Sequence, residues 1–366
     1  MKTNRLIDIF LQLIKINALS QHEKPVAGYI HDFLIALNLK PFYDKSKDKT
    51  GSDTGNLICR VGNGGHFMFV AHMDTARPTS DVKPQILDDR IVSDGTTVLG
   101  VDNRAGIAVI LHALEKAILG KIPLTDFTLA FNTCEESTLA GSLNLEIADG
   151  IKKCFIFDSS LRPGDFIHSS CGAKSLNILI KGKAAHSGLA PEKGVNSIAI
   201  AAKALSQVTQ GRIDAKTTVN IGTINGGTAT NVVPETTQMT GEIRSSENGM
   251  IDKIMRTIRD IFAKETAALD AGLVFKEEWD FKPYDIPPDA DIYKDIVRTL
   301  KKVDLTPVPV ASLAGSDANS LNGRGIPAIN LGIGAQNPHA NDEFIYLADL
   351  EKSSEIALEL MKKECP

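Results

Sequence analysis

The sequence predicts an α/β fold: a catalytic domain with a mostly parallel mixed sheet flanked by helices, interrupted by a smaller inserted domain. Three observations carry that expectation. Apolar runs at 66–72, 127–133 and 154–158 alternate with helical stretches, the order of a sheet covered on both faces. Around Cys171-Gly172 the pattern changes to a strand of alternating polar and apolar residues, which opens a β-α-β-β-α-β series. The 366 residues also exceed what a single compact core usually organises.

Amphipathic helices are expected near 3–17 and 22–39, with Ser20 as a cap for the second. Strands follow at 56–61 and 66–72, and glycines 62–65 read as the turn of a hairpin between them. No helix follows that turn directly, which argues against a phosphate cradle. A helix over 103–119 has Ile107, Ile110, Leu111, Leu114 and Ile118 on one face, and another is expected at 139–148. In the insert, strands at 174–181, 217–224, 236–244 and 273–280 alternate with helices at 195–207 and 249–269, giving a four-stranded lid. Beyond Pro283, Pro287 and Pro288 come a helix at 290–302, a strand at 306–310 and a closing helix at 347–362. The expected boundaries are 1–172 and 284–366 for the catalytic domain and 173–283 for the insert, with hinges near 171–172 and 284–287.

A net charge of −5 without charge blocks offers no basic patch for nucleic acid. The N-terminal apolar pattern is broken by Asp8, Gln12 and Lys15, unlike a signal peptide, and no run reaches the ~18 apolar residues that cross a bilayer. No membrane partner and a cytoplasmic location are expected. Cys59, Cys134, Cys154, Cys171 and Cys365 are widely spaced without a C-x-x-C pair, as buried reduced thiols would be.

Imidazoles and carboxylates stand at or near the ends of the apolar runs, or in punctuated loops: His72, Asp102, Glu135, Glu136, Asp158 and His339. Four carboxylates and two imidazoles converging at one sheet edge would repel one another unless cations lay among them. Nitrogen and oxygen ligands without thiolates suit zinc, with manganese or cobalt as substitutes. Asp74 lies two residues past His72 and can orient its ring by side chain or backbone. Asp102, just before a helix, can cap it or bridge two cations. Glu135 and Glu136 point different ways from successive positions, so one can bind metal while the other faces a water.

The motifs AHMDT (71–75), LGVDNRAG (99–106), CEES (134–137), FDSS (157–160) and NPHANDE (337–343) occur in an order that resembles the di-zinc metallopeptidases. That family includes peptidase T, the aminoacylases and the carboxypeptidase G group, and the pattern is closest to peptidase T-like members. The resemblance implies that His72 and Asp158 bind one zinc, that Glu136 and His339 bind the other, and that Asp102 bridges them. It makes Glu135 the general base and Asp74 the residue orienting His72. In the family the bridging Asp is commonly followed by a second Asp through a cis peptide. Here Asn103 follows, and a cis Asp102–Asn103 bond is still expected.

In the insert, His186 sits in the Gly-rich loop GKAAHSGLAPEKGVNS (182–197); in relatives the matching His reaches a neighbouring subunit's site, which implies a homodimer through the lid. By resemblance Asn231 and Arg244 contact substrate, and Gly315, Ser316 and Asp317 form a pocket loop; the same residues also read as turn, surface and cap positions. The expected activity is removal of an N-terminal residue from short peptides. N-acyl amino acid or dipeptide hydrolysis at the same centre is the alternative, and a non-catalytic metal- or peptide-binding protein is a reading from another class.

Overall fold

A computed structural model describes residues 4–247 and 249–363. The chain forms two compact units. The first runs to Ser169 and resumes over Asp285–Ala311 and from Ser316 onward; the second comprises Ser170–Tyr284 and Ser312–Gly315. The sequence boundaries placed 312–315 in the catalytic part, but this segment groups with the second unit because its backbone bonds there. Cys171 N–H donates to the Ser312 carbonyl at 3.0 Å, and Ser170 Oγ to that of Ala314 at 2.7 Å.

The first unit is built on a nine-stranded mixed sheet. Its centre is parallel: strand Phe67–His72 lies between Phe127–Asn132 and Lys153–Ser159, and the last pairs in turn with Ala328–Gly332. Towards the borders pairing becomes antiparallel, with Leu57–Val61 against Phe127–Asn132 and Asp165–Ser170 against Ala328–Gly332. The central strands are buried on both faces, which is why they read as continuous apolar runs. Phe67, Phe69, Phe127, Phe155 and Phe157 interlock across three of them, Phe69 meeting Phe127 edge-on at 5.1 Å. Each of the four fully buried rings, Phe69, Phe127, Phe155 and Phe157, contributes roughly 1.5–3 kcal/mol by burial. This layer fixes the register of three parallel strands, so their carboxyl ends fall at one edge: His72 is level with Asn132, and Asp158 lies near the end of its strand.

The second unit is an antiparallel five-stranded sheet in the order Gly211–Asp214, Thr217–Gly226, Thr236–Ser245, Gly172–Lys181, Gly272–Phe281. Helices Ser197–Leu205 and Met250–Ala267 pack on it through Leu176, Ile178, Ile180, Ile200, Met239, Ile243, Met255, Ile258 and Phe262.

Several elements differ from expectation. Leu57–Val61 and Phe67–His72 are not a hairpin, because Phe127–Asn132 inserts between them. The Gly62–Gly65 turn instead wraps Asp126: an added Cβ at Gly62 or Gly65 would lie within 2 Å of an Asp126 oxygen. Adjacent strands in sequence need not pair when a later strand supplies a better-buried partner. The helix expected over 139–148 is two short turns, Glu135–Thr138 and Ala140–Leu143, broken at Leu139, whose φ is 55°. Ser20 does not cap the second helix, Lys24–Ala36; its hydroxyl donates to Asp74 Oδ2 at 2.6 Å. The second unit has five strands, not the four expected, since the short edge strand Gly211–Asp214 carries no apolar signature. The expected strand at 306–310 is Val308–Ser312, largely exposed, and the buried Ala328–Gly332 was not anticipated.

Cys59, Cys134 and Cys154 are buried free thiols, and Cys171 is buried with its thiol donating to the Leu313 carbonyl at 3.0 Å. Cys365 lies outside the described residues. Among the described residues, no helix is long and apolar enough to cross a membrane.

Candidate metal centre

Six polar side chains from five segments converge at the carboxyl edge of the parallel strands. His72 ends its strand, Asp158 lies next to the last residue of the neighbouring one, and Glu135 and Glu136 open the turn after a third. Asp102 lies at the start of helix Val101–Leu119, where its backbone is extended (ψ 106°) and the Asp102–Asn103 peptide is cis. His339 comes from a loop residue with φ 66°.

Two candidate ligand sets result, each with donor atoms within 4.8 Å of one another: His72, Asp102 and Asp158, and Asp102, Glu136 and His339. Asp102 is common to both. Its Oδ1 lies 3.0 Å from His72 Nε2, and its Oδ2 lies 3.4 Å from His339 Nε2. His72 Nε2 is also 3.1 Å from Asp158 Oδ1, and His339 Nε2 is 3.0 Å from Glu136 Oε2. Glu135 belongs to neither set, its Oε2 standing 3.9 Å from His72 Nε2.

The imidazole of His72 is oriented from behind. Its Nδ1 is 3.1 Å from the Asp74 carbonyl, which can only accept, so Nδ1 carries a proton and Nε2 faces the carboxylates. The Asp74 carboxylate is 3.4 Å from the same nitrogen, but its closer partners are the backbone N–H groups of Glu135 and Glu136, each at 3.1 Å, and Ser20.

Electrostatically the cluster fits cations. Burial and the neighbouring carboxylates push the Glu135 carboxyl well above its ordinary range, and burial and Asp102 raise Glu136. Burial opposes charging of His72, yet Asp158, Glu135 and Asp102 outweigh it and hold the ring well above its usual pKa. Hydrogen bonds to Asp102 and Glu136 push His339 up to about 10. Protons thus gather where divalent ions would do the same neutralising work. Glu136 Oε1 is buried without a hydrogen-bond partner, an acceptor left over for a ligand. The donor set of imidazole and carboxylate suits zinc, manganese or cobalt.

Other buried groups support the centre, and all of them but Asp317, expected as part of a pocket loop, escaped sequence reasoning. Glu23 is fully buried; its Oε1 accepts the N–H of Cys134 at 2.9 Å and its Oε2 the Ser52 hydroxyl. This holds Cys134 in the left-handed conformation (φ 53°) that turns the chain into Glu135. Arg104 is fully buried, donates to the Met73 and Ile16 carbonyls, and sets a cation behind Asp74, Glu23, Asp102 and Glu136. Asn132 Nδ2 donates to Asp317 Oδ2 at 2.8 Å, and burial pushes Asp317 up to about 6. Only its position two residues past Asp102 in VDNRAG hinted at Arg104.

The remaining residues expected to contact substrate are placed as follows. Ser316 caps helix Asp317–Gly323, its hydroxyl accepting from Ala318 N–H. Gly315 packs so closely on Phe281 that a Cβ would come within 2.5 Å of the ring. Arg244 forms a two-pronged ion pair with Glu242, both contacts 3.0 Å. His186 and Asn231 are exposed and adjacent, since His186 bridges to Val232 and Ser187 N–H donates to the Asn231 carbonyl.

A parallel sheet that delivers two ligand sets sharing one carboxylate defines a metal-dependent hydrolase. The peptidase dimerisation domain of the M20 family matches residues 168–270. Aminopeptidase PepT from Bacillus cereus ATCC 10987 superposes with a TM-score of 0.89 at 32% identity, over 98% of this chain and 97% of that one. A tripeptidase from Staphylococcus aureus subsp. aureus Mu50 superposes at 0.91 and 30% identity over the same shares. The protein YqjE of Bacillus subtilis (strain 168) is 31% identical over 98% of both chains. The chain belongs to the M20 family of metallopeptidases and is peptidase T-like.

Proposed function

We propose that this protein is a two-zinc exopeptidase that releases the N-terminal residue of short peptides with a free amino terminus, with manganese or cobalt able to substitute. The observation that carries the reading is the Asp102 carboxylate shared by two ligand sets, with Glu135 beside them and in neither. The names of the Bacillus cereus aminopeptidase and the Staphylococcus aureus tripeptidase support the choice of substrate.

His72 and Asp158 would hold one ion, Glu136 and His339 the other, and Asp102 both. Two ions there would acidify a bound water and polarise the scissile carbonyl. Glu135 takes the proton of the attacking water and delivers it to the leaving amine. Its high proton affinity, set by burial and the carboxylates around it, suits a group that must hold a proton between those two events. Asp74 fixes the tautomer of His72 and the backbone from which Glu135 projects.

His186 supplies a hydrogen bond to the tetrahedral oxyanion. Its Nδ1 accepts from Gly188 N–H at 3.1 Å and Leu189 N–H at 3.2 Å, which leaves the ring proton on Nε2, facing outward as a donor. Arg244 lies at the other end of the same sheet. Strand residues 236–244 alone span roughly 26 Å, whereas a tripeptide extends about 10 Å. One small substrate therefore meets both groups only if they come from two copies, which supports a homodimer through the second unit. The buried thiols accord with a cytoplasmic location.

The test is metal analysis combined with hydrolysis of unblocked tripeptides, their N-acetylated forms and N-acetyl amino acids. Two ions per chain and turnover of the unblocked tripeptides alone are expected. Turnover confined to the acetylated compounds would reassign the substrate, and metal binding with no hydrolysis of any of them would remove the enzyme reading.

A further inference from the structure

Glu343 is 1% exposed, a carboxylate four residues beyond His339 in the NPHANDE segment. One of its oxygens accepts the N–H of Gly100 at 2.6 Å and the other the N–H of Asp102 at 3.1 Å. These groups belong to the turn that begins helix Val101–Leu119, where Gly100 has φ 78° and Asp102 leaves helical geometry. We propose that Glu343 is a positioning residue that locks the His339 loop to the Asp102 turn, and thereby sets the geometry of the ligand set Asp102, Glu136 and His339. This inference rests on the two-metal reading above.

Asp102 projects from a turn that cannot satisfy its own N–H groups, because helix starts leave them without intrahelical partners. Gly100 offers no side chain as a cap, and the Asn103 side chain accepts an N–H further along, that of Gly106 at 3.0 Å. Glu343 fills that role from 241 residues away, with charge-assisted bonds stronger than a neutral cap would make. His339 is half-exposed, in a left-handed conformation, on a loop whose other anchors, such as Ser93 on the Asn341 carbonyl at 2.8 Å and Asn341 on the Gly95 carbonyl at 3.0 Å, do not reach the Asp102 turn. A compact turn, in which Glu343 N–H donates to the Ala340 carbonyl, transmits the anchorage to it, and Arg77 donates to the His339 carbonyl from the far side at 3.1 Å. The set formed by His72, Asp102 and Asp158 depends on the same lock only through Asp102, since its other two members stand on parallel strands.

The consequence is unequal. Glutamine at 343 presents one acceptor and one N–H₂ to two N–H donors, so one bond is replaced by a donor–donor contact. The second ion should weaken more than the first. Outer partners of metal ligands typically change affinity by roughly 10–100-fold.

The experiment is calorimetric titration of zinc into chelator-stripped wild-type, E343Q and E343D protein, with far-UV circular dichroism as the check on folding. Wild type is expected to bind two ions. E343Q should bind one with near-wild-type affinity and the other about 10–100-fold more weakly, and E343D, which keeps the charge on a shorter stem, should recover part of the loss. Folded E343Q that binds both ions as wild type does, or loses both equally, overturns the proposal. If E343Q does not fold, E343D decides: selective weakening of one ion supports the lock, and unchanged or equal weakening overturns it. Wild type binding fewer than two ions would instead remove the two-metal reading itself, so the two failures are separable.

Discussion

The Asp74 carboxylate accepts the backbone N–H of Glu135 at 3.1 Å while standing 3.4 Å from His72 Nδ1. One buried side chain thus ties the first strand-end imidazole to the backbone carrying the proposed base. Asp74→Asn replaces one acceptor oxygen by a donor facing those N–H groups. Metal content should change little, because Nδ1 of His72 keeps the Asp74 carbonyl, while kcat falls about 10–100-fold. Metal analysis with steady-state kinetics checks this, and full activity would show that the carboxylate positions nothing.

Glu135→Gln separates ligation from proton transfer. The variant should retain both ions and lose roughly 10²–10⁴ in kcat, the usual contribution of a positioned general base. His339→Ala should do the reverse and empty one metal site. If E135Q also lost an ion, Glu135 would be a ligand, and the base would have to be sought elsewhere.

Because His186 and Arg244 lie at opposite ends of one sheet, complementation between copies can be tested. H186A and E135Q should each be nearly inactive alone. Mixed after dissociation and reassociation, they should regain up to about a quarter of wild-type activity per chain, since half the chains enter hybrids and one site in each hybrid is intact. Complete failure of a mixture shown to contain hybrids would place His186 in the site of its own chain.

The legible part of this molecule was the chemistry that stands at strand ends. His72 and Asp158 stand at the ends of apolar runs that read as buried strands, and Glu135-Glu136 follows a third, so the hydrophobic pattern placed these polar groups at strand ends, while their roles as ligands and base came from the family resemblance. What resisted reading was action at a distance. Glu23 looks like an ordinary helix-start acid and Glu343 like a polar loop residue, yet each is buried against backbone N–H groups more than 100 positions away. Such contacts follow from tertiary closure and leave no local periodicity. The false hairpin at residues 62–65 has the same origin, because the strand that separates its arms is encoded more than 50 residues later. Ser316 shows the converse: its local capping signature was legible, and the structure uses it in that way.

Cys59 and Cys154 are fully buried, and burial pushes the Cys59 thiol from 9.0 up to about 11 and raises Cys154 further. Both acids are therefore held neutral in the folded state at pH values where the unfolded chain has released their protons. Since the folded pKa lies above the unfolded one, their contribution is fully present below about pH 9 and is lost as the pH rises towards 11 and beyond. The slope is about 1.4 kcal/mol per pH unit for each thiol across that window. Urea unfolding at intervals from pH 8 to 10.5 should show stability declining above pH 9 in the wild-type protein. Cys59→Ala lacks the titrating group, so although less stable at pH 8 it should decline less steeply, by about one thiol's share. Tyrosines and lysines titrate in the same range but are common to both proteins and cancel in the comparison. Equal slopes would mean that the Cys59 thiol ionises as readily in the folded sheet as in the unfolded chain, and would overturn the effect assigned to its burial on strand Leu57–Val61.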